Sequence, residues 1–400
     1  MSRTGKLILN NTQHHPVEHT PDEPHCDVNR MQLKQLSLMN FRNYHEVTIK
    51  FSDGIHVLFG ENGAGKTSIL EAIHYLALTK SFRTGNDRNL ILTSEKMFRV
   101  QGVFQNSQGQ TLKVAIAYSI DSGKRLTVNQ QSPQTFSEYI GEVPVVLLHP
   151  ADLRLSQGSP QHRRRFLDVL LSQSSKVYLH HLIQYNRSLK QRNQLLQDPL
   201  TEVQLLRSWE ENLVNYGVEL IVRRREAAAR LGEMVTRYYR QISKSNDLVT
   251  IDYRTNVPGT TEAEIARGYR ETFDEKRHRE QAYGTTLVGP HRDDLMFLLN
   301  GTPMREYASQ GEHKTLVIAL KLAEFHFLQE QRASSPMLLF DDIFGELDGN
   351  RIRLMLHQLS NIGQVFVTTT SRTFFDKVQE FEAPIRFYRV ENGTVHLTDT

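Results

Sequence analysis

Apolar and polar positions begin to alternate at Met31, with Leu33, Leu36 and Leu38 on the apolar side. The pattern predicts strands at 31–39, 46–51 and 55–59. A helix is expected from 66 to about 78, with Ile69, Ile73, Leu76 and Ala77 on one side. Residues 97–128 read as antiparallel strands, with turns at 106–109 and 121–123, and 145–148 reads as a short buried strand. After Pro160 the character changes. Glycine is rare to about 240, and Trp209, Leu213, Tyr216, Leu220, Ala227 and Leu231 form a seam of nearly heptad spacing. Residues 254–282 are polar and charged, read as a linker plus a helix. Strand character returns at 296–299. A helix carrying Leu316, Ala319, Leu320, Ala323 and Phe327 follows, then buried strands at 337–340 and 365–368. No internal repeat is present.

Residues 1–30 lack this periodicity and are expected to be a disordered extension, with Met31 a candidate start. His14, His15, His19, His25 and Cys26 lie there, but metal ligands need regular spacing on ordered structure, so a polar tail is the better reading. The chain has 400 residues, enough for two or three domains and a large core. Its composition is that of an ordinary soluble protein, 38% hydrophobic and 23% charged. A single cysteine excludes an internal disulfide and points to a reducing compartment, the cytoplasm. No apolar run approaches the ~20 residues of a membrane helix, and no signal peptide is evident. The net charge is only +3, but it is uneven. Residues 154–240 hold 15 lysines and arginines against 8 acids, so the helical segment is basic and the remainder slightly acidic. That places the basic surface for a polyanion on the insert.

The strongest chemical signal is Gly60-Glu61-Asn62-Gly63-Ala64-Gly65-Lys66-Thr67, which fits G-x-x-x-x-G-K-[ST]. Roughly 0.01–0.02 chance matches are expected in a chain of this length, and an apolar strand precedes the match while a helix starts inside it. Backbone amides of the loop would surround phosphates, Lys66 would reach the β and γ phosphates, and Thr67 would offer its hydroxyl to Mg²⁺. The helix N-terminus adds attraction for anions. The 337–340 strand ends in Asp341 and Asp342. Asp341 can hold Mg²⁺ through water, and Asp342 can polarise an attacking water. Loop and acids lie about 280 residues apart. One α/β head built from both chain ends, with a helical lobe inserted between them, explains that separation.

Ser309-Gln310-Gly311-Glu312 precedes a helix about 30 residues before Asp341, and Glu346-Leu347-Asp348 follows it. This order of phosphate loop, S-x-G-[QE], apolar-strand acids and E-L-D resembles the ABC-type ATPase heads of chromosome and repair proteins. Within that class it resembles the RecF family. The match rests on Asn40-Phe-Arg-Asn-Tyr44, Ser81-Phe-Arg83-Thr84, Gly158-Ser-Pro160, Arg163-Arg164-Arg165-Phe-Leu-Asp168, Gly289-Pro-His-Arg-Asp-Asp294 and Ser309-Gln-Gly311, and spans 31–400. The resemblance implies an ATP-driven homodimer. In it, Ser309 and Gly311 cap the γ-phosphate held by the other copy, Asp348 sits at the seam, and Arg83 lies near nucleotide or DNA. It implies recombinational and replication-gap repair with slow, DNA-stimulated ATP hydrolysis. RecR and RecO would be partners, and RecA would be loaded. The sequence departs from many ABC proteins in three places. Glu312 stands where they have Gln, Asp342 is shorter than Glu, and Thr368-Thr369-Thr370 replaces the switch histidine, which leaves the γ-phosphate sensor open.

The expected architecture is an extension at 1–30, a head from 31–155 and 285–400, and a helical lobe at 156–284. Three motifs carry two readings each. Arg163, Arg164 and Arg165 are either a DNA-phosphate patch or a solvated helix start. Arg223-Arg224-Arg225 has the same alternatives, with a solvated face favoured. His291 and Arg292 either join the seam or form a turn with an Arg292–Asp293 ion pair. Two rival functions remain: a transporter ATPase, which fits the basic insert poorly and needs a membrane partner, and a DNA scaffold that uses ATP only for dimerisation.

Overall fold

A computed structural model of the chain describes residues 29–198, 200, 202–332, 334–343, 363–372 and 384–398. Its centre is a six-stranded sheet in the order Thr394–Thr398, Ile385–Glu391, Ile55–Phe59, Val365–Thr369, Met337–Asp341, Val145–Leu148. All neighbours are parallel except the hairpin formed by the first two. Val145–Leu148, Met337–Asp341 and Val365–Thr369 are buried at every position, as parallel strands covered on both faces must be.

A second sheet is antiparallel, in the order Tyr44–Lys50, Gln32–Phe41, Met97–Gln105, Thr111–Ser119, Gly123–Val128. Here buried and open positions alternate, clearest in Met97–Gln105, because one face packs inward and the other meets solvent. Helix Lys66–Leu78 lies between the two sheets and is buried almost throughout. One apolar cluster fills this layer, with Phe41, Tyr75, Phe98 and Phe104 at its centre.

The expected lobe region contains helices Pro160–Ser174, Lys176–Leu196, Val203–Ser243 and Glu262–Tyr283. The seam residues fall on one 41-residue helix, Val203–Ser243, where Leu213, Leu220, Ala227 and Leu231 are buried. The stretch expected as linker plus helix contains the end of strand Val249–Arg254 and helix Glu262–Tyr283. That strand joins Asp294–Leu299 and Thr302–Pro303 in a small antiparallel sheet. Helix Gln310–Arg332 packs along Val203–Ser243 and also against Val145–Leu148. One apolar cluster therefore runs unbroken from the parallel sheet into the helices.

Asn29 and Arg30, expected within the extension, pair in parallel with Ser334 and Ser335. The remainder of the extension, with its histidines and Cys26, lies outside the described residues. Among the described residues no helix is long and apolar enough to cross a membrane.

Candidate functional site

Strand Ile55–Phe59 ends at the glycine loop, and helix Lys66–Leu78 begins at its last two residues. Two glycines are sterically required. A Cβ on Gly60 would stand 2.3 Å from the Val390 carbonyl oxygen. Gly65 has φ +114°, and its Cβ would meet Asn43 and the Tyr44 hydroxyl, each at 2.6 Å. Those two side chains brace the loop. Asn43 Nδ2 donates to the Ala64 carbonyl (3.1 Å), and the Tyr44 hydroxyl donates to that of Gly65 (3.1 Å). Burial pushes the Tyr44 pKa up, which keeps it a donor. No side chain caps the helix, so its first amides face the loop as anion donors. Lys66 Nζ donates to the carbonyls of Gly60 (2.7 Å) and Glu61 (2.8 Å). Burial lowers its pKa, while Asp342 and Asp341 pull the other way.

The acids arrive at the adjacent strand ends. The Thr67 hydroxyl donates to Asp341 Oδ1 at 2.7 Å, closing a separation of 274 residues. Asp341 is 7% exposed and also accepts from the Thr368 hydroxyl at 2.9 Å. The Asp342 amide donates to that same hydroxyl (2.9 Å), and Asp342 itself is exposed, with φ +48°. Thr368, expected to sit where a switch histidine would be, thus holds the Asp341 carboxylate and the Asp342 backbone. A cleft of about 430 Å³ opens here, lined by Asn62, Gly63, Lys66, Thr67, Arg83 and Asp342 among others.

Arg83 stands at the cleft rim, its side chain 46% exposed and 3.5 Å from Glu71. Arg42 lines the same cleft and holds Glu71 with two bonds, at 2.8 and 2.7 Å. Glu71 is fully buried, and Ser81 donates to it while receiving the amides of Arg83 and Thr84. One buried carboxylate therefore sets two guanidinium groups beside the loop. The sequence reading assigned no role to Arg42, Asn43 or Glu71. The available signal was a lone acid, Glu71, in the largely apolar stretch that follows Thr67.

Ser309 and Gly311 do not line this cleft. Ser309 is exposed at the start of helix Gln310–Arg332. Its amide donates to Glu312 Oε2 (2.7 Å), and its hydroxyl accepts from the Glu312 amide (3.3 Å). This is a capping box, and glutamine serves in it as well as glutamate. Glu312 is thus compatible with the cap. Asp348 lies outside the described residues.

The basic motifs require correction. Arg163 is 3% exposed and makes a two-bond pair with Asp294 at 2.7 and 2.9 Å, so it offers nothing to DNA. Arg164 donates to the Asp293 carbonyl (2.7 Å), and burial lowers its pKa. Arg165 alone of the three is exposed. Arg224 is buried against Asp168 and the Pro290 carbonyl, while Arg223 pairs with Glu219 and Arg225 with backbone carbonyls. His291 is bonded to Tyr185 (2.7 Å) and the Thr286 carbonyl (3.0 Å), and burial holds its pKa down to about 4. The alternative of an Arg292–Asp293 pair is not what forms: Arg292 donates to the Thr286 carbonyl, and Asp293 accepts from Tyr253. The Arg163–Asp168 and Gly289–Asp294 motifs are therefore two sides of one buried junction.

A different basic surface exists. Cross-strand partners share a face, and the register aligns Arg99 with Arg125 through Ala117, and Lys50 with Lys113 through Gln35 and Val103. All four cations are exposed on the open face of the antiparallel sheet, where Glu46 is the one acid among the described residues.

A phosphate loop, a strand-end acid pair and an S-x-G-E helix start on this two-sheet scaffold define an ABC-type ATPase head. The family model described as RecF/RecN/SMC N terminal domain matches residues 32–396. The chain is 39% identical over 373 residues to the DNA replication and repair protein RecF of Symbiobacterium thermophilum, covering 92% of this chain and 99% of that one. It is also 39% identical over 364 residues to that of Chloroherpeton thalassium, covering 88% and 98%. The chain belongs to the RecF family. A solved structure of the recombination mediator protein RecF with ATP in the RecFOR pathway superimposes with TM-score 0.86 at 30% identity, covering 94% of this chain and all of that one. The Smc head domain of Pyrococcus furiosus, at 16% identity and TM-score 0.51, shares the fold.

Proposed function

We propose that this chain is an ATP-dependent DNA-binding protein of recombinational and replication-gap repair, in which ATP closes two heads around two composite sites. One observation carries the reading. The cleft holds Lys66, Thr67 and Asp342, with Asp341 behind Thr67, whereas the exposed Ser309 and the half-buried Gly311 lie outside it. A second copy supplies the missing side.

Lys66 leaves its two carbonyls for the β and γ phosphates. Loop amides and the helix N-terminus hold the remaining phosphate charge. Thr67 and Asp341 present a hydroxyl and a carboxylate 2.7 Å apart, the hard oxygen donors that suit Mg²⁺. Bound there, Mg²⁺ neutralises charge on the phosphates. Asp342 accepts the proton of the attacking water, and its short side chain must reach for it, so hydrolysis is slow; stimulation by DNA is a separate part of the proposal. Ser309 and Gly311 cap the γ-phosphate across the seam, with Asp348 beside them. The relatives' association with ATP and the RecFOR pathway supports this assignment. It extends to RecR and RecO as partners and to loading of RecA.

DNA phosphates meet the open sheet face carrying Lys50, Arg99, Lys113 and Arg125. Sedimentation of the full chain with ATP, ADP or neither, with and without gapped DNA, tests the whole scheme. A dimer is expected with ATP only, and gapped DNA should co-sediment with it. A mass that ignores the nucleotide would refute the closed-head reading.

A further inference from the structure

Arg163 lies in the first turns of helix Pro160–Ser174, away from the nucleotide cleft. Its guanidinium joins two separate arms. On one side it grips Asp294 with both carboxylate oxygens, at 2.7 and 2.9 Å. Asp294 opens strand Asp294–Leu299. The hairpin return Thr302–Pro303 leads straight into the turn Met304–Tyr307, and Ser309 follows. On the other side Arg163 Nη1 donates to the Gly158 carbonyl at 2.8 Å. Gly158 closes the short helix Arg154–Gln157, which packs against Met304–Tyr307, and Gln157 Nε2 donates to Gln310 Oε1 at 3.3 Å. Arg164 adds a bond to the Asp293 carbonyl at 2.7 Å. Both routes from Arg163 converge on Ser309 and Gln310.

We infer that Arg163 is a positioning residue for the signature: it locks the two arms that set the direction in which Ser309 and Gly311 are offered to a second copy. It is 3% exposed and does not line the nucleotide cleft. Its planar fork suits the task, because one group holds a carboxylate and a carbonyl at fixed angles, which an ammonium cannot do. The inference rests on the closed-head reading above, in which the signature acts in trans.

The test uses the full chain and two readouts, affinity of the monomer for a fluorescent ATP analogue and the dissociation constant of the ATP-bound dimer. Arg163→Gln and Asp294→Asn should each raise the dimer constant about tenfold or more, with ATP-analogue affinity of the monomer unchanged. Arg163→Lys should fall between them and the parent chain. A merely structural role would lower monomer ATP affinity and melting temperature together and leave no selective dimer defect; that result overturns the inference. So does a folded Arg163→Gln chain that dimerises as the parent does. If Arg163→Gln does not fold, Asp294→Asn, which keeps shape and one hydrogen-bond acceptor, decides the matter by the same criteria. Ser309→Arg separates the two levels. If it dimerises normally with ATP, the trans reading itself has failed. If it cannot dimerise while Arg163→Gln can, only the positioning role has failed.

Discussion

The Lys66 ammonium rests on two carbonyls of its own loop, and the Thr67 hydroxyl rests on Asp341. Those bonds assign separable effects. Lys66→Ala should remove nucleotide binding and dimerisation together, because the main cation facing the β and γ phosphates is gone. Asp342→Asn should keep ATP binding, since Thr67 and Asp341 are untouched, and lower turnover by about a hundredfold or more. Phosphate release and sedimentation on the same samples check both; parental turnover in Asp342→Asn would move the water-activating role elsewhere. These residues were legible because a phosphate loop is contiguous in sequence. Arg42 and Glu71 were not, because their roles lie in bonds from the turn after Gln32–Phe41 to helix Lys66–Leu78, and Thr368 was legible only as a strand end, not as the partner of Asp341. A second residue-scale consequence is acid sensitivity. Burial, which outweighs the backbone acceptors beside them, holds His56 and His291 neutral with pKa values down to about 4. The unfolded chain, near 6.5, then binds more protons than the folded one between those limits. Stability is complete above about 6.5 and falls as pH drops towards 4, by on the order of 1 kcal/mol per pH unit for each histidine. Thermal melts at pH 7.5, 6 and 5 should show this slope, and His291→Gln should make it shallower, with the share of His56 remaining. A flat profile in the parent chain would contradict the burial.

The element with most at stake is helix Gln310–Arg332. The sequence shows S-x-x-E at its start, which fits a capping box as well as the proposed trans signature, and the structure makes the cap. Ser309 therefore serves its own helix with the hydroxyl that the proposed seam would use. Glu312→Gln should leave stability within a few tenths of a kcal/mol, whereas Glu312→Ala, which opens the reciprocal cap, should cost about 1 kcal/mol. Chemical denaturation distinguishes them, and equal stability of the two would mean that the box contributes nothing. Helix Val203–Ser243 shows the limit of periodicity. Its heptad-like seam located Leu213, Leu220, Ala227 and Leu231 correctly. It did not reveal that Glu210 and Arg224 are buried with them, because their partners, Arg192, Arg277 and Asp168, come from other helices.

At the scale of the molecule, counting charge by segment pointed to the helical insert for DNA, and three-dimensional pairing changes that answer. Arg163, Arg192 and Arg230 pair with Asp294, Glu280 and Glu330, acids that lie outside residues 154–240, so part of the excess is neutralised by neighbouring segments. On the antiparallel sheet the opposite holds. Lys50, Arg99, Lys113 and Arg125 lie on alternate positions of strands that read as ordinary half-buried β structure, and only the register reveals that they share a face. Exposed cations on a flat surface meet phosphates through solvent-screened attraction, so their removal shows in the salt dependence before anything else. Replacing Arg99 and Arg125 with glutamine should weaken DNA binding and reduce the log–log salt slope by about 0.7–0.9 for each DNA phosphate that is no longer neutralised. ATP-driven dimerisation without DNA should be unaffected, because neither residue lines the cleft or the signature. Arg165→Gln is the comparison, as the one exposed member of its run. If Arg165→Gln lowers the slope and the sheet-face pair does not, DNA lies along the helices after all. If the pair lowers it alone, the DNA-facing surface is the head's own sheet, on the far side from the helix that begins at the phosphate loop.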